Sequence, residues 1–261
     1  MPALPAALVL LVLFVGGLLV AASQSGGYVR LLGSPDFRAS LALTAWVATT
    51  STAISAVLGL GLALWIHLLG GPRLTVTLLQ MPVAIPHLVF VVSVIHLLAP
   101  SGLLARVLHI PQASFPVLLN DRWAAGIILV YILKETPFLA VMCLAALVRI
   151  ERDYDATART LGATHWQRFR FVTLPLVAPV LAAGSAVVFA YVFPAFEVPL
   201  LLGRTWPAML GVEAQRRFME GELTTRPEAI AWGLVTALAA LLVLAVATPL
   251  RKLVFADEET R

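Results

Sequence analysis

Six runs of about 20 apolar residues recur along this chain, each nearly free of charge, and that is the length a helix needs to cross a hydrocarbon layer. They are Ala3–Ser23, Ala39–Leu69, Leu74–Leu98, Ala124–Val148, Leu176–Leu202 and Ile230–Leu250. With no water in a bilayer core, a spanning helix must satisfy its own backbone polar groups, so the pattern predicts an all-α polytopic membrane protein with six transmembrane helices. The second run is long enough to tilt or to protrude into water. Connections are short at Gly70–Arg73 and longer at Ala99–Trp123, Arg149–Pro175 and Gly203–Ala229. One membrane domain over residues 1–261 accommodates all of this, with the 149–175 loop inside it.

Composition narrows the function. Hydrophobic residues make up 60% of the chain and charged residues only 12%, about half the charge of a soluble domain. The net charge of +4 is explained by arginines at membrane edges, and no basic cluster alternates with aromatics, so nucleic acid is not an expected partner. The single cysteine, Cys143, excludes an internal disulfide. No Lys or Arg precedes the first run, so it reads as a retained span and not as a cleaved leader.

An even number of spans puts both termini on one side. With the termini inside, nine basic residues fall on the inner side and eight on the outer. The densest cluster, Arg149–Arg170, tilts the assignment toward cytoplasmic termini and a cytoplasmic 149–175 loop.

That loop contains the longest polar stretch, "YDATARTLGATHWQRFRFVTLPLVAP", from Tyr154 to Pro179. Tyr154, Ala158 and Leu161 repeat at helical spacing, with Asp155 four residues before Arg159. Gly162 is expected to end this helix in a left-handed conformation. Thr164 and Gln167 form a capping box that starts a second short helix. On it Trp166, Phe169 and Val172 share a face, with Arg168 and Arg170 beside them. Pro175 and Pro179 suit the first turns of the next span. The physics leaves two readings of this elbow open: an amphipathic connector anchored on lipid, or a docking knob for a soluble partner.

The stretch resembles the EAA loop of the permease subunits of binding-protein-dependent ABC importers. That motif runs E-A-A, three residues, G-A, five residues, Phe, and then L-P. Here Gly162-Ala163, Phe169 and Leu174-Pro175 fall in register. The motif's Glu falls on Ala156, with Asp155 one position earlier and Thr157 and Ala158 in the next two places. The resemblance implies a type I importer permease, in which Asp155, Ala158, Arg159, Gly162, Ala163, Trp166, Phe169 and Pro175 would engage an ATP-hydrolysing subunit. This chain carries no G-x-x-x-x-G-K-[ST] phosphate loop. No cofactor is therefore expected on it, and ATP and Mg would sit on the separate ATPase. The family also implies a second permease, the same or different, a periplasmic or extracellular solute-binding protein, and a bacterial cytoplasmic membrane. "FEVPLLLG" resembles the branch that handles polyamines, with relatives handling thiamine, ferric iron or oxyanions.

Ionisable groups within spans are expensive and so mark candidate functional positions. "LKETPFLA" places Lys134 beside Glu135, about 100° apart on a helix, so both cannot face one neighbour squarely. Lys134 reads as half of a structural ion pair between helices, and Glu135 as a candidate for the translocation path. "FPAFEVPLLLG" sets Glu197 between Pro194 and Pro199, where broken helix lines a cavity or is buried in protein. Glu197 reads equally as a gate or ligand for a cationic solute and as an interfacial acid. Pro82 and Pro86 flank the inner half of the third span, and Pro86 joins the path candidates. His87 and His96 are nine residues apart and point to opposite sides, so no shared metal is expected, and His67 reads as structural too. The segment from Arg204 to Ala229 is either an amphipathic outer face that meets a binding protein or a solvated loop.

Two other functions compete. A membrane-embedded enzyme would use His67, His87 or Glu135, but no H-E-x-x-H pairing exists. An autonomous secondary transporter would relay protons through the acids, but it leaves the elbow without a purpose.

Overall fold

The computed structural model describes residues 3–69, 73–116, 119–220 and 224–255. In chain order the helices are α1 (Ala3–Gln24), α2 (Tyr28–Gly33), α3 (Pro35–Leu68), α4 (Arg73–Ala84), α5 (His87–Leu98) and α6 (Leu103–Val107). Then follow α7 (Ala125–Thr160), α8 (His165–Arg168), α9 (Leu174–Val192), α10 (Glu197–Leu202), α11 (Leu210–Met219) and α12 (Arg226–Phe255). The fold is all-α, and no strand occurs among the described residues. Five helical stretches are long and apolar enough to cross a membrane: Pro35–Leu68, His87–Val107, Ala125–Val148, His165–Val192 and Arg226–Val243. The 22-residue α1 supplies a sixth apolar helix.

Two of the expected spans are not single helices. The third breaks at Ile85-Pro86 into α4 and α5. A residue before proline is pushed out of the helical region, and proline has no N–H to continue the ladder. The fifth is displaced: helix runs from His165 to Val192, and the rest of the expected run becomes a turn at Pro194 followed by α10. Pro179, in contrast, is buried within α9 and does not interrupt it.

The centre of the bundle is α3 packed in parallel along α7. Trp46 Nε1 donates to the Trp123 carbonyl (3.0 Å) near one end, and Ala63 shares a buried cluster with Cys143, Ala146 and Leu147 near the other. The buried face of α3 mixes apolar Phe37, Val47 and Ile66 with a row of small residues, Ser40, Thr44, Ser51, Thr52, Ser55 and Gly59. Small residues let backbones approach closely in a membrane, where apolar burial gives no driving force between helices. At Gly59 the approach is so close that a Cβ would lie 2.8 Å from the Leu139 Cβ.

At the end opposite Gly162, the chain between α10 and α12 folds inward. The Leu210 N–H donates to Thr44 Oγ1 (2.9 Å), which fixes the start of α11 against α3. Arg217 reaches Glu228 at 3.2 Å and Glu213 at 3.7 Å, and its guanidinium lies 4.7 Å above the buried Trp232 ring. This segment is a packed amphipathic helix and not a solvated loop.

Candidate functional site

Two places combine unusual backbone with side chains that packing alone does not explain: the elbow around Gly162 and a chamber beside Glu197.

The elbow begins where α7 ends. The helix runs unbroken from Ala125 through Ala158 and Arg159 to Thr160, so the first arm is an extension of the fourth span. Gly162 then adopts φ +77°, a conformation that costs a side-chain-bearing residue far more than glycine. Its N–H donates to Arg159 O (3.0 Å) and that of Ala163 to Ala158 O (3.0 Å), which closes the helix end. Thr164 restarts the chain with a complete capping box: Gln167 N–H donates to Thr164 Oγ1 (3.3 Å), and Thr164 N–H to Gln167 Oε1 (2.8 Å). The four residues of α8 lead through one π-helical turn, Phe169–Thr173, directly into α9, with Pro175 in its first turn. The second arm therefore also continues a span. The elbow is a sharp turn joining two spans, not a separate pair of surface helices as the sequence suggested.

Trp166 is 68% exposed, and Tyr154, Leu161 and Phe171 are exposed around it. The Trp166 and Phe169 rings lie 5.6 Å apart, as the shared face required, with Phe169 half-buried. Arg168 departs from expectation: it is buried, its Nη2 2.7 Å from His165 Nδ1, while Arg159 and Arg170 are exposed. Asp155 belongs to the last turns of α7, but its side chain lies outside the described residues.

The chamber forms where α9 stops. A cavity of ≈ 300 Å³ is walled by Tyr131, Tyr191, Pro194, Phe196, Glu197 and Val198, with Ala190 and Ala195. Glu197 stands in the first turn of α10, where a carboxylate faces unpaired backbone N–H groups. Tyr131 is fully buried, and its hydroxyl finds no hydrogen-bond partner. One turn along the same face of α7, Glu135 is 9% exposed, and its Oε1 lies 3.5 Å from His87 Nε2. The His87 ring in turn packs 5.0 Å from the Tyr191 ring.

Lys134 and Glu135 both reach the break between α4 and α5, although adjacent helical residues diverge. Lys134 Nζ donates to the carbonyl of Ile85 and sits 5.6 Å from the Phe90 ring, while Glu135 takes His87 two residues further on. The expected inter-helix ion pair at Lys134 is therefore a lysine–carbonyl bond. Pro86 explains it: the break removes the helical donor that the Ile85 carbonyl would otherwise have had. No group of three His, Cys, Asp or Glu side chains assembles among the described residues. Tyr131 and Tyr191 were not singled out from the sequence; the i,i+4 spacing of Tyr131 and Glu135 was the one available hint.

A helical bundle with broken spans, a mostly apolar cavity holding one carboxylate at one break and a capped glycine turn joining two spans defines a class: a polytopic membrane transport component. The chain belongs to the family described as "Binding-protein-dependent transport system inner membrane component", whose sequence model matches residues 71–254. It is 29% identical over 198 residues to the inner membrane ABC transporter permease protein YnjC of Escherichia coli K12, which covers 74% of this chain and 37% of that protein. It is also 29% identical over 170 residues to a probable molybdenum ABC transporter permease protein of Haloferax volcanii, covering 63% of this chain and 60% of that one. These matches thus span about a third to three fifths of the relatives' own length. Among solved structures, the chain resembles one in the crystal structure of a bacterial alginate ABC transporter in complex with an alginate pentasaccharide-bound periplasmic protein. The TM-score there is 0.77 at 24% identity, covering 94% of this chain and 90% of that chain. The type I importer permease fold expected from the elbow is the fold observed.

Proposed function

We propose that this chain is one membrane subunit of an ATP-driven importer, and that it moves a small hydrophilic solute inward by alternating access. The observation that carries the reading is the elbow: a glycine at φ +77° and a complete capping box hold an exposed Trp166 at the shared tip of two spans. Motion imposed on that tip passes into α7 and α9 without an intervening flexible linker, because both arms are helical extensions of spans. A separate cytoplasmic subunit would receive the tip and hydrolyse ATP with its Mg. Asp155, Ala158, Arg159, Gly162, Ala163, Trp166, Phe169 and Pro175 form or shape the coupling surface.

A second permease, identical or not, would complete the pathway, and a periplasmic binding protein would deliver solute at the opposite end. Both termini would then be cytoplasmic. The chamber beside Glu197 lies on the path, with Glu135 buried behind it and Pro86 making the break that Lys134 and His87 occupy. Co-expression with the ATPase of the same system tests the reading. The two chains should purify together and hydrolyse ATP, and the permease alone should hydrolyse none. Failure of the pair to associate, or hydrolysis by the permease alone, would refute it.

A further inference from the structure

We infer that the chamber beside Glu197 selects a small organic cation, a conclusion that rests on the chamber lying on the transport path. Three observations carry it. First, the Glu197 carboxylate is half-buried in the chamber wall and has no ion pair among the described residues. Second, the basic side chains at the α4–α5 break are already engaged: Lys134 Nζ on the Ile85 carbonyl, and His87 on Glu135 at 3.5 Å. Third, Tyr191 and Phe196 expose ring surface at the same cavity.

Each competing solute class leaves something unpaired. An oxyanion would approach an uncompensated carboxylate and lose its hydration against it. A sugar has hydroxyls all round, and Pro194, Val198 and the two alanines would leave many of them without partners. A metal ion is commonly held by several His, Cys, Asp or Glu side chains, and no group of three of these assembles among the described residues. An ammonium group carried on a short apolar body fits each wall. Its charge meets Glu197, and its flanks lie on aromatic faces that attract cations.

The test needs no knowledge of the natural solute. Cysteines are placed at Ala190 and, separately, at Ala195 in the full chain with Cys143→Ala, co-expressed with its ATPase in membranes. Each is treated with a trimethylammonioethyl and with a sulfonatoethyl methanethiosulfonate, with and without ATP. The ratio of the two reaction rates, relative to that of a free thiol in solution, should favour the cationic reagent about tenfold, as one nearby carboxylate in a poorly solvated site dictates. Adding Glu197→Gln should return the ratio to the free-thiol value. Reaction with both reagents at the free-thiol ratio, or a preference that survives Glu197→Gln, overturns the cation assignment while leaving the chamber on an aqueous path. No reaction at either cysteine in any state overturns the path reading itself.

Discussion

His87, the first residue of α5 beyond the break, and Glu135, in the first third of α7, meet with Nε2 and Oε1 3.5 Å apart. Their contact, with that of Lys134 on the Ile85 carbonyl, ties the α4–α5 break to α7. Removing one partner leaves the other buried without a mate, which costs more than removing both. A double-mutant cycle of His87→Phe and Glu135→Leu, read by thermal unfolding in detergent, should give a coupling energy of about 1 kcal/mol or more. Strictly additive losses would show that the two side chains are neighbours without energetic contact.

Close helix contact at Gly59 makes a second case. Gly59→Val would drive a branched side chain into Leu139, where a Cβ alone already lies at 2.8 Å. Overpacking of this kind costs about 1–3 kcal/mol. Gly61→Val supplies the control, since nothing lies within 4 Å of its added Cβ. Gly59→Val should lower the apparent melting temperature clearly and Gly61→Val hardly at all. Equal shifts would mean that α3 and α7 are not packed as described.

Much of this architecture was legible in the residues. Apolar run length revealed the bundle, because a bilayer imposes it. Gly162, Thr164 and Gln167 revealed the elbow, because glycine conformation and capping chemistry act within a few residues. Run length is blind to breaks, however, and so α4 and α5 read as one span and the end of α9 was overrun. The partners of Lys134 and Glu135 were also hidden. They lie 49 and 48 residues away in sequence, across a helix break whose direction no local pattern fixes. Tyr131 looked like one more apolar residue, and nothing local showed that it would be fully buried in the wall of the cavity.

A coupling role for the elbow, as proposed, requires it to lie on the cytoplasmic side. A cysteine at Leu161, 82% exposed at the elbow, should react with impermeant maleimide only from the cytoplasmic side when Cys143 is replaced. A cysteine at Met219, 69% exposed at the other end, should react only from outside. The opposite labelling pattern would invert the topology.

Gly162→Val should have the largest effect of any single change at the elbow. Positive φ at a β-branched residue costs about 1–3 kcal/mol, and the alternative is a second arm pointing elsewhere. The six apolar helices should still insert, while ATP-dependent uptake falls at least tenfold, the loss that 1.4 kcal/mol of coupling implies. Uptake at the level of the unaltered protein would show that the bend at Gly162 is dispensable.

As proposed, the tip carrying Trp166 seats on an ATP-hydrolysing subunit. A photoreactive benzoyl-phenylalanine replacing Trp166 probes that contact directly in membranes containing the whole complex. Trp206, 62% exposed at the opposite end, takes the same replacement as a control. A covalent adduct between the permease and the ATPase is expected from position 166 and none from position 206. An ATPase adduct from position 206, or none from position 166 while the two subunits still copurify, would contradict it.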